Sequence, residues 1–238
     1  MDIETIKKLP DFRFIRSLDV FDGLSDETVL AVFSRLSKSF FKRGDYIFRQ
    51  GEKVDRLYFL EMGKVEIYKY DASSKRLTLW FMERGGVFCL VNLFAPASFA
   101  NALAVTDCLA FEISKEDLIE VVLENSLLVE RMLCCLSRKN SVYVQLLETF
   151  AFKKVEQRLA HLLLNNLLCQ GCGGPACDMT HGEIASMIGT RREVVCRLVK
   201  KFVKDGLIEV KKSGKGQSFT IRDERGLKRL SESEGFGS

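Results

Sequence analysis

Residues 180–205 read THGEIASMIGTRREVVCRLVKKFVKD, and this stretch decides the fold. Thr180-His-Gly-Glu183 has the spacing of a capping box, so a helix is predicted to open there and run through Met187. Ile184, Ala185 and Ile188 supply its inner face, with Ala185 small where two helices cross closely. Gly189-Thr190 turns the chain, using the backbone freedom of glycine. From Arg191 to Asp205 a second helix buries Val194, Val195, Leu198, Val199 and Phe202. Arg191, Arg192, Glu193, Cys196 and Arg197 remain for its outer face, with Thr190 just before it. This is helix-turn-helix anatomy, in which the start of the second helix enters the major groove. Arginine there forks to guanine O6 and N7, and glutamate accepts from cytosine N4. Lys200, Lys201 and Lys204 are placed for phosphates. The competing reading is a helical hairpin with a purely structural role.

Downstream, Ile208-Glu-Val210 and Ser218-Phe-Thr-Ile221 read as a hairpin around the Lys211–Gly216 turn, a basic wing. Between Arg191 and Arg229 stand 13 Lys and Arg against 5 Asp and Glu, while residues 1–190 are close to neutral. A basic module on a neutral partner domain is the electrostatic footprint of nucleic-acid binding, here double-stranded DNA. A solvated basic face is the plainer alternative.

Upstream, residues 152–168 read as one helix, and helical spacing also fills residues 114–150. Val129, Leu133, Leu136, Asn140, Tyr143, Leu147 and Phe150 step alternately by four and three. With Leu133, Asn140 and Leu147 at a and the others at d, the seam predicts a parallel two-helix coiled coil and a homodimer. Asn140 would fix its register. The alternative is an amphipathic helix packed on its own domain.

The first half has another texture. Residues 23–40 look like a helix capped by Ser25. Short β-rich runs then alternate with turn signals up to Ile113, as in an antiparallel jelly roll. The fold class is therefore α+β, with an N-terminal β jelly roll, a long dimerisation helix and a C-terminal winged helix-turn-helix. With 238 residues, 47% hydrophobic and 29% charged, the chain suits one large or two small globular domains. No run of about 18 apolar residues marks a membrane span. Charges at Asp2, Glu4, Lys7, Lys8, Asp11 and Arg13 do not fit a secretory leader, so a cytoplasmic location is expected. Eight cysteines then read as reduced thiols or ligands. No Ser/His/Asp set, paired-carboxylate motif or P-loop appears, which argues against an enzyme.

In this order of parts the chain resembles the Crp/Fnr superfamily of bacterial transcription regulators. GEIASMIGTRREVVCRLVKKFVKDGLIEV (residues 182–210) looks like that family's DNA-reading helix pair. RGDYIFRQGEKVDRLYFLEMGKVEIY (residues 43–68) is similar to its cyclic-nucleotide-binding-type barrel. The resemblance implies an effector-sensing domain over 1–123, a dimerisation helix over 124–151 and a DNA-binding domain over 152–232. It puts Arg192, Glu193 and Arg197 at base-reading positions, with Cys196 where the family usually has a small residue. It also implies a pseudo-palindromic operator, RNA polymerase as a further partner, and an allosteric signal.

The signal has several candidates. Members that bind cyclic AMP carry Gly-Glu-Leu and, about ten residues on, Arg-Ser or Arg-Thr. Here GGVFCLVNLFAPASFANALAV (residues 85–105) contains no Glu, Arg, Lys or His, so a cyclic nucleotide is not expected. Gly86-Val-Phe-Cys89 resembles the start of the haem-binding stretch of the carbon-monoxide-sensing branch, making Cys89 a candidate haem ligand. That branch has His two residues later, where Val91 stands here. Cys169, Cys172, Cys177 and His181 form a second constellation, with spacing for zinc, for an iron–sulfur cluster or for thiol redox sensing. A metal or redox protein with only non-specific DNA affinity is the alternative function.

Overall fold

Apolar alternation becomes a strand only where a neighbour takes up its backbone hydrogen bonds. The computed structural model describes residues 3–72, 74, 76–165, 169–170, 179–213 and 216–232. The chain opens with α1 (Ile3–Lys8), α2 (Pro10–Arg16) and α3 (Asp26–Phe33). Five strands follow: β1 (Ser37–Phe41), β2 (Tyr46–Phe48), β3 (Arg56–Met62), β4 (Val65–Tyr70) and β5 (Arg76–Met82). Next come β6 (Val87–Phe88), α4 (Leu90–Leu93), β7 (Asn101–Ala104) and β8 (Cys108–Ser114). Helices α5 (Lys115–Leu123), α6 (Ser126–Phe152) and α7 (Val155–Asn165) lead to β9 (Cys169–Gln170). The last part is α8 (His181–Met187), α9 (Arg192–Lys204), β10 (Ile208–Ser213), β11 (Gly216–Ile221) and α10 (Glu224–Glu232). Antiparallel sheets, a long helix and a winged helix-turn-helix make this an α+β fold.

By contacts the chain forms two units, residues 1–67 with 82–141 and residues 68–81 with 142–238. In the first, an antiparallel sheet has the order β1-β8-β3-β6. Leu57 faces Ile113 and Phe59 faces Phe111 across it. These four side chains form one face, because alternate residues of a strand point the same way. They are buried against Phe14, Ile15 and Phe21 from the N-terminal segment, Leu118 of α5, and Leu128 and Met132 of α6. Phe14 stacks on Phe111 at 5.9 Å and Phe21 lies on Phe59 at 5.6 Å. A second sheet has the order β2-β7-β4-β5-β9, and the chain passes from one unit to the other within its β4 strand.

The helix predicted over 23–40 is shorter than the sequence implied. Ser25 does cap it, accepting from the Thr28 amide at 3.3 Å, but α3 ends at Phe33. Ser37–Phe41 is instead β1, paired residue for residue with Cys108–Glu112. That ladder satisfies both backbones, which outweighs a weak helical preference. The helix predicted over 152–168 is displaced too: α6 runs on to Phe152 and α7 spans only Val155–Asn165.

In the second unit, β10 and β11 form an antiparallel wing with Ser213 opposite Gly216. Its strands are longer than the sequence pattern indicated. Helix α10 was not foreseen; it packs on α7, burying Leu227. No helix among the described residues is long and apolar enough to cross a membrane.

Candidate DNA-reading interface

The reading pair is built as its residues dictate. The Thr180 amide donates to Glu183 Oε2 at 2.6 Å, and the Glu183 amide donates to Thr180 Oγ1 at 3.1 Å. This capping box satisfies two otherwise orphaned donors at the start of α8. Ile184, Ala185, Met187 and Ile188 are buried, as are Val195, Leu198, Val199 and Phe202 of α9; Val194 is half-buried. Gly189 joins the helices at φ +68°, a left-handed angle. A Cβ there would stand 2.8 Å from the Phe150 ring, so glycine is required twice over.

Burying one face of α9 exposes the other. Arg191, at the N-cap, is exposed together with Arg192, Glu193, Arg197 and Lys200, while Thr190 and Cys196 are half-buried. Lys201 is turned elsewhere, pairing with Glu156 of α7 at 2.7 Å, and that hydrogen bond raises its pKa. The wing lies beside the start of α8: Met179 and Gln217 exchange backbone hydrogen bonds at 3.2 and 3.0 Å. An open cleft of about 530 Å³ results, lined by Thr180, His181, Gly182, Arg192, Lys212, Gly216 and Gln217. Guanidinium and ammonium groups at its rim suit a phosphate. Glu209 pairs with Arg222, the residue after β11, which lowers the Glu209 pKa.

Sequence reading missed Arg158. Its guanidinium donates to the carbonyls of Phe150 at 3.0 Å, Lys153 at 2.9 Å and Ile188 at 3.3 Å, and lies 4.7 Å from the Phe150 ring centroid. It therefore ties the end of α6 to the helix-turn-helix turn. An arginine beside the apolar Leu159–Ala160 and Leu162–Leu163 pairs of α7 was the available signal.

The predicted seam divides in two. Val129, Leu133, Asn140 and Leu147 are exposed, with Leu133 at 59% and Leu147 at 70%; Val144, absent from the predicted seam, is exposed at 57%. Leu136 packs partly on the first core. Tyr143 lies against Trp80 at 5.3 Å, and Phe150 lies under Arg158.

Cys89 is buried at the start of α4 with φ +77°, and burial pushes its thiol well above the ordinary range. Residues 85–105 carry no cation, but the fold brings cations to them: Lys115 Nζ lies 5.0 Å from the Phe94 ring centroid, and Lys139 reaches the other end of the segment. Lys139 of α6 is buried, and its Nζ donates to the Val87 carbonyl at 2.6 Å. Burial lowers its pKa, while Cys135 and Cys89 act the other way. Asn92 Nδ2 donates to Ser98 Oγ at 3.1 Å within the same segment. Cys172 and Cys177 lie outside the described residues, and of Cys169 only the backbone is described, in β9. His181 Nε2 is buried with no hydrogen-bond partner among the described residues. No metal-binding group of three ligands occurs among those residues.

A family model described as cyclic nucleotide-binding domain matches residues 38–125, and one described as Crp-like helix-turn-helix domain matches residues 157–230. The cyclic AMP receptor protein of Thermus thermophilus is 28% identical over 192 residues, 80% of this chain and 88% of that protein. A global nitrogen regulator of Synechococcus elongatus is 29% identical over 182 residues, 72% of this chain and 81% of that protein. A CooA mutant from Carboxydothermus hydrogenoformans shares the fold, with a TM-score of 0.70 over 84% of this chain and 90% of that one, at 20% identity. A β-roll unit, a long helix and a winged helix-turn-helix with an exposed basic reading face define a transcription regulator. The chain belongs to the Crp/Fnr superfamily.

Proposed function

We propose that this protein is a homodimeric regulator that binds a pseudo-palindromic DNA operator and answers to a signal other than a cyclic nucleotide. The carrying observation is the α9 surface, where Arg191, Arg192, Glu193 and Arg197 are exposed in the first turns while the opposite face is buried. Two such helices related by a two-fold axis would meet half-sites about one helical turn apart. The exposed Val129, Leu133, Val144 and Leu147 around Asn140 support pairing along α6, since apolar side chains left in water favour burial by a second copy. RNA polymerase is the partner through which the bound dimer would act.

The signal reading rests on residues 85–105. They offer no guanidinium fork to a cyclic phosphate, and Lys139, a buried cation brought there, already donates to Val87. Val91 stands where the carbon-monoxide-sensing branch that Cys89 resembles has its His, so the haem reading is not taken further. Zinc or an iron–sulfur cluster on Cys169, Cys172, Cys177 and His181 is supported by spacing and by the unpartnered His181 Nε2. The visible spectrum and zinc content of protein purified without oxygen test it: a featureless spectrum without zinc ends the metal reading.

The function is tested by selecting duplexes from a randomised pool and competing them against scrambled ones. Arg197→Ala should cost roughly 1–3 kcal/mol on the selected site and relax its specificity. Equal weakening on every duplex would refute base reading by Arg197. Added cyclic AMP should leave the wild-type affinity unchanged.

A further inference from the structure

Strand β5 touches the reading pair directly. Thr78 is fully buried, and its Oγ1 donates to Ser186 Oγ of α8 at 2.9 Å. Ser186 Oγ in turn donates to the carbonyl of Arg76, two residues before Thr78, at 3.2 Å. The relay starts and ends on β5 and passes through α8. Two residues beyond Thr78, Trp80 packs against Tyr143 of α6. On the other arm of the hairpin, Tyr68 lies under the Arg76 guanidinium at 3.7 Å. One short segment, Tyr68–Phe81, thus grips both the end of the long helix and the first helix of the reading pair. Arg158 makes an independent tie between the same two helices.

We propose that the Tyr68–Phe81 hairpin is the docking surface that fixes the angle of the reading pair against α6, and that it thereby sets the half-site spacing the dimer accepts. This rests on the dimeric DNA-reading function above. Apolar packing alone tolerates sliding and small rotations, but a two-bond hydroxyl relay is met over a narrow range of angles. If α6 lies along the two-fold axis, the angle of each α9 to α6 decides how far apart the two reading helices stand. A loosened angle would let the dimer meet more spacings, with each single reading helix unaltered. The hairpin leaves the exposed base-reading residues of α9 free.

The test uses the full-length protein and a palindromic duplex selected from a randomised pool by the wild type. Affinities are measured for that duplex, for the same half-sites moved apart by one base pair, and for one half-site alone. Thr78→Val removes the hydroxyl at constant shape, and Ser186→Ala breaks the relay from its other side. Both should reduce the preference for the selected spacing by about fivefold, as expected for a lost hydrogen bond. Single-half-site affinity should change less than about twofold. Thr78→Ser keeps the hydroxyl and should keep the wild-type preference. Unchanged spacing preference in both disrupting variants overturns the proposal. So does an equal loss on the single half-site, which would make the relay part of the reading pair's own fold. A wild type with no preference for selected over scrambled duplexes overturns the underlying function instead.

Discussion

Gly189 shows how much one residue settles. Its positive φ and the Phe150 ring beyond it both demand the absence of a side chain. Gly189→Ala should destabilise the protein by roughly 1–3 kcal/mol, read as a lower urea midpoint. The sequence disclosed the turn but not the ring, which comes from α6. Lys139 is the opposite case, since it lies outside the seam that the heptad spacing marks and no local pattern singles it out. In the fold it is buried against Val87, and burial lowers its pKa. Within the window between that lowered value and the ordinary lysine value, the unfolded chain holds the proton more firmly. Stability from this group therefore rises as pH climbs through the window. Urea midpoints at about pH 7 and about pH 9.5 should show wild type gaining on Lys139→Met. Parallel changes in the two proteins would show that the amine is not desolvated.

At the scale of elements, the strongest local signals became structure unchanged. The capping box at Thr180 opens α8, and the apolar run Leu57–Leu60 forms the buried centre of β3. The Ser37–Phe41 segment did not follow its helical reading, because β8 offered it a ladder. Helix α6 is instructive in another way. A seven-residue repeat marks a stripe, but the stripe is shared. Leu136, Tyr143 and Phe150 pack within the protomer, while Leu133, Val144 and Leu147 remain exposed. The heptad reading placed all of these but Val144 in one seam, since periodicity cannot say which partner a stripe meets. Leu147→Asp should weaken the proposed dimer by at least about tenfold in sedimentation without lowering the thermal midpoint of the monomer. A dimer of unchanged strength would move the interface away from this face.

Across the whole molecule, charge and architecture act together. The basic excess lies in the reading helix, the wing and the segment after them. Operator affinity should therefore fall steeply with salt, since each neutralised phosphate releases counterions. Lys212 lines the cleft between the wing and the start of α8. Lys212→Ala should weaken binding evenly across sequences and reduce the logarithmic salt slope by about one. An altered base preference would instead make Lys212 a reader of sequence. Arg158 and the β5 relay belong to this scale as well, because they join elements that lie far apart in the chain.

The amino-acid sequence by itself determined the order of parts, the caps, the glycine turn and the basic outer face of α9. These depend on neighbours within a few residues, so local spacing records them. Tertiary structure alone decided that β1 is a strand, that Lys139 is buried, and that Arg158 joins the carbonyls of Phe150 and Lys153 to that of Ile188. It also decided that Thr78 meets Ser186, 108 positions away. Such contacts are made by packing between distant segments, and no local pattern of residues encodes which distant surface will arrive.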